Sequence, residues 1–142
     1  MSESIKEIQQ SIIEEMALFD EWNDKYEYII ELGKKLPKLD EVHKIDANLI
    51  KGCQSNVWLI ASEKDGIIHF EAESDAVIVK GLVSLLLRVF NNQPATEIIN
   101  SDLSFLEETG LSRHLAQTRS NGLLSMVKQI KFYAMAYSVK GN

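Results

Sequence analysis

Apolar positions recur every three or four residues in two stretches near the N-terminus, the spacing of the buried face of an amphipathic helix. In the first stretch, over residues 3–18, the recurring positions are Ile5, Ile8, Ile12, Ile13 and Met16. The second stretch follows Asp20, which can cap a helix, and ends at Pro37, because the residue before a proline disfavours the helical conformation. The pattern therefore predicts two helices and then a polar connection over residues 37–47.

Between Ala47 and Glu73 the period shortens. Residues 57–61 are apolar at successive positions, which predicts a strand over residues 56–61 that is buried on both faces. Residues 68–73 alternate between apolar and polar, which predicts a half-exposed strand. Lys64-Asp65-Gly66 lies between them and is typical of a tight hairpin turn. With the short apolar pair Leu49-Ile50 just upstream, we predict an antiparallel sheet of three strands.

Helical spacing returns after the predicted sheet. Ser74-Asp75 can cap a helix whose apolar stripe ends near Asn91-Asn92, and Gly81 within it predicts close packing against the sheet. A short helix is predicted over residues 94–100 and a further turn or helix over 103–108. Ser120 is expected to begin the last helix, with one face formed by Leu123, Val127, Ile130, Ala134 and Tyr137. Helices, a small meander and helices again predict an α+β fold, with residues 1–142 as one domain.

Charge is unevenly distributed in this chain of net charge −6. Residues 1–46 hold 12 of the 21 acidic and 6 of the 15 basic residues, so they carry the whole excess, whereas the bases of residues 109–142 have no acidic neighbours there. Five dispersed bases do not form a nucleic-acid surface, and we expect the basic last helix to pack beside the acidic N-terminal pair. No stretch approaches the ~18 apolar residues of a membrane span, and the glutamates near Met1 do not fit a signal peptide. We expect a cytoplasmic protein without nucleic-acid or membrane partners.

Cys53 is the only cysteine, and it interrupts the apolar pattern within Lys51-Gly52-Cys53-Gln54-Ser55. One cysteine forms no internal disulfide and no zinc or iron–sulfur site, so no metal is expected. A cysteine on a flexible, polar turn can be presented to a partner, because exposure and surroundings that favour the thiolate make a thiol reactive. Simple packing of a small apolar side chain is the alternative.

Three other kinds of residue bear on the chemistry. A cysteine hydrolase would need His43, His69 or His114 as its general base, and no oxyanion or nucleophile-elbow motif accompanies any of them. Asp75 is expected mainly as a helix cap. Arg119 stands at the start of the last helix, where a base opposes the helix dipole, which suggests an acidic partner or a bound anion.

Five blocks of this sequence, in this order, resemble the SufE family of sulfur-acceptor proteins, which includes the CsdE type. The blocks are WNDKYEYIIELGKKLPKL at 22–39, NLIKGCQSNVWL at 48–59, ESDAVIVKGL at 73–82, GLSRHL at 110–115 and TRSNGL at 118–123. The resemblance implies an α+β fold like that of the cluster scaffold IscU. It also implies a sulfur carrier that activates a cysteine desulfurase and is not itself a free-standing enzyme.

The resemblance further implies that Cys53 accepts persulfide sulfur from a desulfurase of the SufS type and that the SufBCD scaffold receives it. Pyridoxal phosphate belongs to the desulfurase, so this chain is expected to hold no cofactor. Gly52, Gln54 and Ser55 match the family's cysteine loop, and Arg119 matches its RSxGL motif. Asp75 matches the second aspartate of the DSDA motif. A CsdE-type acceptor for a second desulfurase, a cysteine hydrolase and a plain interaction module remain the alternatives.

Overall fold

The computed structural model describes residues 4–140 and shows an α+β fold. Seven α-helices and three strands lie in it, together with two short 3-10 turns, Glu41–His43 and Asp46–Asn48, in the polar connection. The helices are α1 (Ile5–Met16), α2 (Trp22–Lys34), α3 (Val77–Phe90), α4 (Ala95–Asn100), α5 (Ser104–Glu108), α6 (Leu111–His114) and α7 (Gln117–Lys140). The strands are β1 (Val57–Lys64), β2 (Ile67–Ser74) and β3 (Gln93–Pro94). The predicted fold class is confirmed.

The two N-terminal helices form where the spacing predicts them. Ser4 caps α1 in a capping box with Glu7, whereas the predicted start at residue 3 lies outside the described residues. The predicted cap of α2 is wrong, because Glu21 occupies that position and its side chain makes no capping hydrogen bond. Helix α2 ends at Lys34, a turn before the proline that limits it.

The sheet is a hairpin with a two-residue addition. Strands β1 and β2 pair antiparallel through a turn at Asp65 and Gly66, both of which have the positive φ that such turns require. The third strand is Gln93–Pro94, paired with the start of β2, at a position where the sequence predicts a helix. Leu49 contributes only an isolated bridge to β1.

The two strands of the hairpin differ in which side chains they bury. Side chains on one face of β2 are buried, as predicted, at Ile68, Phe70 and Ala72. The prediction that β1 is buried on both faces is wrong, because Trp58 and its neighbours on that face are only half-buried. The sheet therefore covers the core with one face only.

Helix α3 is the central helix, packed on the sheet and on α2. The close approach at Gly81 is to α2 and not, as predicted, to the sheet: a Cβ on Gly81 would overlap the backbone of Ile29. Gly33 faces Gly81 across the same crossing, where its own Cβ would lie 2.7 Å from the Gly81 nitrogen. Two glycines thus let the helix backbones touch and fix the position of α3.

Helix α7 begins at Gln117, three residues before the predicted start. The predicted inner face is confirmed, with Leu123, Val127, Ile130 and Ala134 buried. The expected packing beside the acidic N-terminal pair is wrong, because the main contacts of α7 are with α4 and α3. This places the first turns of α7 next to the start of α3, where the sequence-predicted site residues lie.

Candidate functional site

Cys53 lies on a short loop that is closed at its base. The Ile50 amide donates to the Val57 carbonyl at 2.9 Å, so residues 51–56 project beyond the end of β1. Gly52 has φ +93°, a conformation that other residues adopt only with strain. The loop is thus a turn whose two ends are joined by a hydrogen bond, and Gly52 directly precedes Cys53.

The Cys53 side chain points back from this loop toward α7. Its thiol is half-buried and donates a long hydrogen bond to the Gly122 carbonyl, with 3.6 Å between sulfur and oxygen. Burial raises the pKa of the Cys53 thiol above its ordinary value, because a desolvated thiolate is disfavoured. In this position the sulfur is held as a neutral thiol.

The thiol borders a pocket of about 270 Å³ between the loop, the start of α3 and the start of α7. The inner wall is apolar and consists of Ile78, Val79, Leu82 and Met126. The outer rim is polar and includes Gln54, Ser55, Thr118 and Arg119. A sulfur atom can therefore lie against apolar groups while a polar opening remains beside it.

Arg119 lies in the first turn of α7, on the rim of the Cys53 pocket. Its side chain is exposed and has no hydrogen bond or ion pair with any residue in the range 4–140. The acidic partner expected from its place at a helix start is therefore not found in this part of the chain. The guanidinium group is left with its donors available to an anion at the pocket opening.

Asp75 lies next to the loop but does not cap α3, so that prediction is wrong. The N-cap position is Ala76, and both Asp75 carboxylate oxygens are occupied by Asn56. They accept from the Asn56 amide at 3.1 Å and from its side-chain Nδ2 at 3.0 Å, while the Asp75 amide donates to the Asn56 carbonyl at 3.3 Å. These three bonds tie the end of the cysteine loop to the start of α3.

The structure brings Cys53, Gln54, Ser55 and Arg119 together around one pocket, and Gly52 lies on the same loop as Cys53. Asp75 is hydrogen-bonded to Asn56 at the C-terminal end of that loop. Sequence reasoning assigned no role to Gly122, Asn56 or Ser125, although all three contact the loop or its anchor. Gly122 alone carried a usable signal. A glycine inside a helical pattern often marks a close approach of another group.

The three histidines lie apart from the pocket lining. His114 is exposed and stacks on Trp22, with 3.9 Å between the ring centroids. His69 is exposed on β2, and His43 lies in the first 3-10 turn. None of them lines the Cys53 pocket. The geometry therefore gives a hydrolytic mechanism no general base at this site.

Neither a metal site nor a membrane span is found in the described part of the chain. Within residues 4–140, no three or more histidine, cysteine, aspartate or glutamate side chains cluster so that they could hold a metal ion. Over the same range, no helix combines the length and the apolar character needed to cross a membrane.

Fold and site together define a small α+β protein that carries its only thiol on an anchored loop over an apolar pocket. The model of the SufE family, described as an Fe-S metabolism associated domain, matches residues 10–134. The chain therefore belongs to the SufE family, whose members are sulfur-transfer proteins of iron–sulfur metabolism rather than classical enzymes.

Similar proteins support the assignment. An uncharacterized SufE-like protein of Rhizobium meliloti strain 1021 is 45% identical over 125 residues, covering 84% of this chain and 89% of that protein. One of Rhizobium etli is 42% identical over 125 residues, with 84% of each chain covered. A hypothetical protein from Thermus thermophilus, solved in solution, has a TM-score of 0.75 at 14% identity and covers 91% of this chain and 94% of its own. That last similarity shows the fold alone.

Proposed function

We propose that this protein accepts sulfur on Cys53 from the persulfide of a SufS-type cysteine desulfurase and delivers it to a SufBCD-type scaffold. In the first step the Cys53 thiolate attacks the outer sulfur of the donor persulfide. A new S–S bond forms on Cys53, the donor's S–S bond breaks, and the donor cysteine leaves as a thiolate that takes up one proton. One thiol and one persulfide exchange places, so no external oxidant or reductant is needed.

One observation carries this proposal: the only thiol of the chain borders a pocket that has an apolar wall and, at its rim, an arginine without a partner among residues 4–140. The wall shields the unloaded thiol from water-borne oxidants until it meets a donor. The Arg119 guanidinium lies on the rim of the same pocket, and a cation close to the sulfur would favour the thiolate when the loop moves toward that rim. In one site, the apolar wall thus protects the thiol and Arg119 favours the thiolate.

The other predicted residues serve the loop in this proposal. Gly52 supplies the backbone conformation that turns the cysteine toward α7, and the polar Gln54 and Ser55 form the rim through which a donor enters. Asp75 anchors the C-terminal end of the loop through Asn56. No cofactor of its own takes part, since pyridoxal phosphate belongs to the desulfurase, and the reaction takes place in the cytoplasm.

The test is a desulfurase assay under non-reducing conditions. With a SufS-type desulfurase and cysteine, the wild type is expected to gain about 32 Da, the mass of one sulfur, and to accelerate alanine production. Cys53→Ser removes the only thiol, so the decisive readout is alanine. If Cys53→Ser accelerates alanine formation as the wild type does, the proposal fails.

Running the same assay with a CsdA-type desulfurase distinguishes the CsdE-type alternative. Faster transfer from that donor would assign the chain to the second desulfurase while leaving the role of Cys53 intact. A chain that binds either desulfurase without gaining mass or changing the rate would be an interaction module.

A further inference from the structure

The cysteine loop rests on two neighbouring positions of α7. A Cβ on Gly52 would lie 2.6 Å from the Ser125 hydroxyl oxygen, so this part of the loop touches the helix directly. A Cβ on Gly122 would lie 3.4 Å from the Cys53 sulfur and 3.8 Å from both its Cα and its Cβ. Positions 122 and 125 are three apart and share a helix face. We call this face, Gly122 and Ser125, the loop seat.

Gly122 is an unfavourable residue for its location. It is buried within α7, and glycine is among the poorest residues for a helix interior because it lacks a Cβ and gains backbone freedom on unfolding. A Cβ at this position would already be in van der Waals contact with the Cys53 side chain, so a larger side chain would extend into the space beside the cysteine. A small residue at position 122 therefore keeps this space open for the cysteine.

We propose that Gly122 is a positioning residue for sulfur transfer: its small size leaves room for the Cys53 side chain, which a side chain larger than a methyl group would crowd, and its carbonyl oxygen retains the thiol through the S–H hydrogen bond. The inference rests on the proposed function of Cys53. It adds a residue that holds the acceptor in its resting position and names the two features of that residue that do so.

The hydrogen bond makes retention depend on the state of the sulfur. A carbonyl oxygen accepts from S–H, but a thiolate has no proton to donate. The Cys53 sulfur of a persulfide is bonded to carbon and to the outer sulfur, so it has none either. The neutral, unloaded thiol is therefore retained, whereas the ionised or loaded sulfur loses this bond and faces the lone pairs of the carbonyl.

Few charged groups lie near the thiol, so few of them could make its exposure depend on pH. Arg119 is the only charged residue that lines the pocket. Lys51, on the loop itself, is exposed, and Asp75 is engaged with Asn56. The side chains that α3 contributes to the pocket are apolar. A pH dependence of thiol exposure is thus assigned to the thiol and its contact with Gly122.

The test measures alkylation of Cys53 by iodoacetamide in the purified full chain, without a desulfurase, from about pH 6 to 10, the range in which cysteine thiols titrate. Gly122→Val adds two methyl groups to a Cβ that would itself lie 3.4 Å from the Cys53 sulfur. We expect its rate to rise about fivefold at neutral pH, as for loss of one hydrogen bond and its burial, and its apparent pKa to fall toward that of a free thiol. Gly122→Ala adds only an ordinary contact, and its rate should stay within about twofold.

Leu124→Val is the matched control, because Leu124 lies in the same turn of α7 and is 49% exposed. It introduces the same side chain without touching the loop, and it should leave both rate and pKa unchanged. If Gly122→Val folds normally by circular dichroism yet keeps the wild-type rate and pH profile, the inference is wrong.

A second pair of variants decides the matter if Gly122→Val does not fold. Gly52→Ala acts on the loop seat from the loop side. Its Cβ would lie 2.6 Å from the Ser125 hydroxyl oxygen, at a backbone φ of +93° that strains alanine, so the loop or the hydroxyl must shift, and this variant should also expose the thiol. Gly66→Ala carries similar backbone strain, at φ +82°, with nothing within 4 Å of the new Cβ, and should not. Equal alkylation rates in these two variants would overturn the inference. Since no desulfurase is present, a negative result here leaves the proposed function standing, and failure of the desulfurase assay leaves these rates unaffected.

Discussion

Gly81→Ala provides a stringent test of the helix crossing that positions the site. Glycine to alanine inside a helix ordinarily stabilises by about 1 kcal/mol. Here the new Cβ would overlap the Ile29 carbonyl oxygen and lie 2.5 Å from Ile29 Cγ2 and 2.8 Å from its carbonyl carbon. Two of these atoms are backbone and cannot rotate away, so the overpacking penalty lies near the upper end of its usual range, about 3 kcal/mol. The net expectation is a loss of about 2 kcal/mol in the free energy of unfolding.

Urea unfolding followed by circular dichroism measures this change. Ser84→Ala is the control, because Ser84 is half-buried in the same helix and should stay within about 0.5 kcal/mol of the wild type. Helix α3 also supplies much of the apolar wall of the Cys53 pocket, so Gly81→Ala should raise the alkylation rate of Cys53 as well. If Gly81→Ala is as stable as Ser84→Ala, the close crossing of α2 and α3 is wrong.

Three further changes test the site and its support. Arg119→Ala should slow sulfur transfer about tenfold, as for loss of one charge-assisted hydrogen bond, with an unchanged melting temperature; an unchanged transfer rate would remove Arg119 from the site. Asp75→Ala frees the Asn56 amide, so hydrogen exchange should quicken over residues 51–56 while stability falls by only about 1 kcal/mol, and unaltered exchange would contradict the anchor. Hydrogen bonding to Arg88 lowers the pKa of the Glu15 carboxyl to about 2, so its stabilising effect is complete above pH 4.5 and is lost as the pH falls from there toward 2. Because the pair is about a third exposed, Glu15→Gln should flatten the acid limb of the stability curve by only about 1 kcal/mol, and an equally steep limb in the variant would show that the pair does not contribute.

Features of the fold that depend on neighbouring residues could be predicted from the sequence. The spacing of Ile5, Ile12 and Met16 predicts α1, and Asp65-Gly66 predicts the hairpin, because both are determined within a few residues. The third strand could not be predicted. Gln93–Pro94 is two residues long and is extended because it pairs with β2, a partner more than 20 residues away. Tertiary contact decides such segments, and local propensity does not.

The site shows the same division. The break in the apolar pattern indicates the loop of Cys53, and the family motifs select Arg119 and Asp75. What each does physically depends on long-range contacts that periodicity does not contain. Asp75 has the sequence position of a helix cap, yet its carboxylate binds Asn56, 19 residues earlier in the chain. Gly122 becomes significant only when the loop is seen to occupy the space beside it.

In the proposed transfer, the buried position of the thiol opposes its reactivity, and contact with the donor must overcome this. Burial raises the pKa of Cys53 and the Gly122 carbonyl retains its proton, so the resting acceptor is poorly nucleophilic. Exchange with a persulfide requires thiolate, and its rate follows the thiolate fraction. If a donor lifted the loop from α7, the thiol would lose both the desolvation and the hydrogen bond, and it would leave the apolar wall for the polar rim that includes Arg119. Under the proposed function, we expect this movement both to expose and to activate the thiol, so that an acceptor that has met no donor stays unreactive.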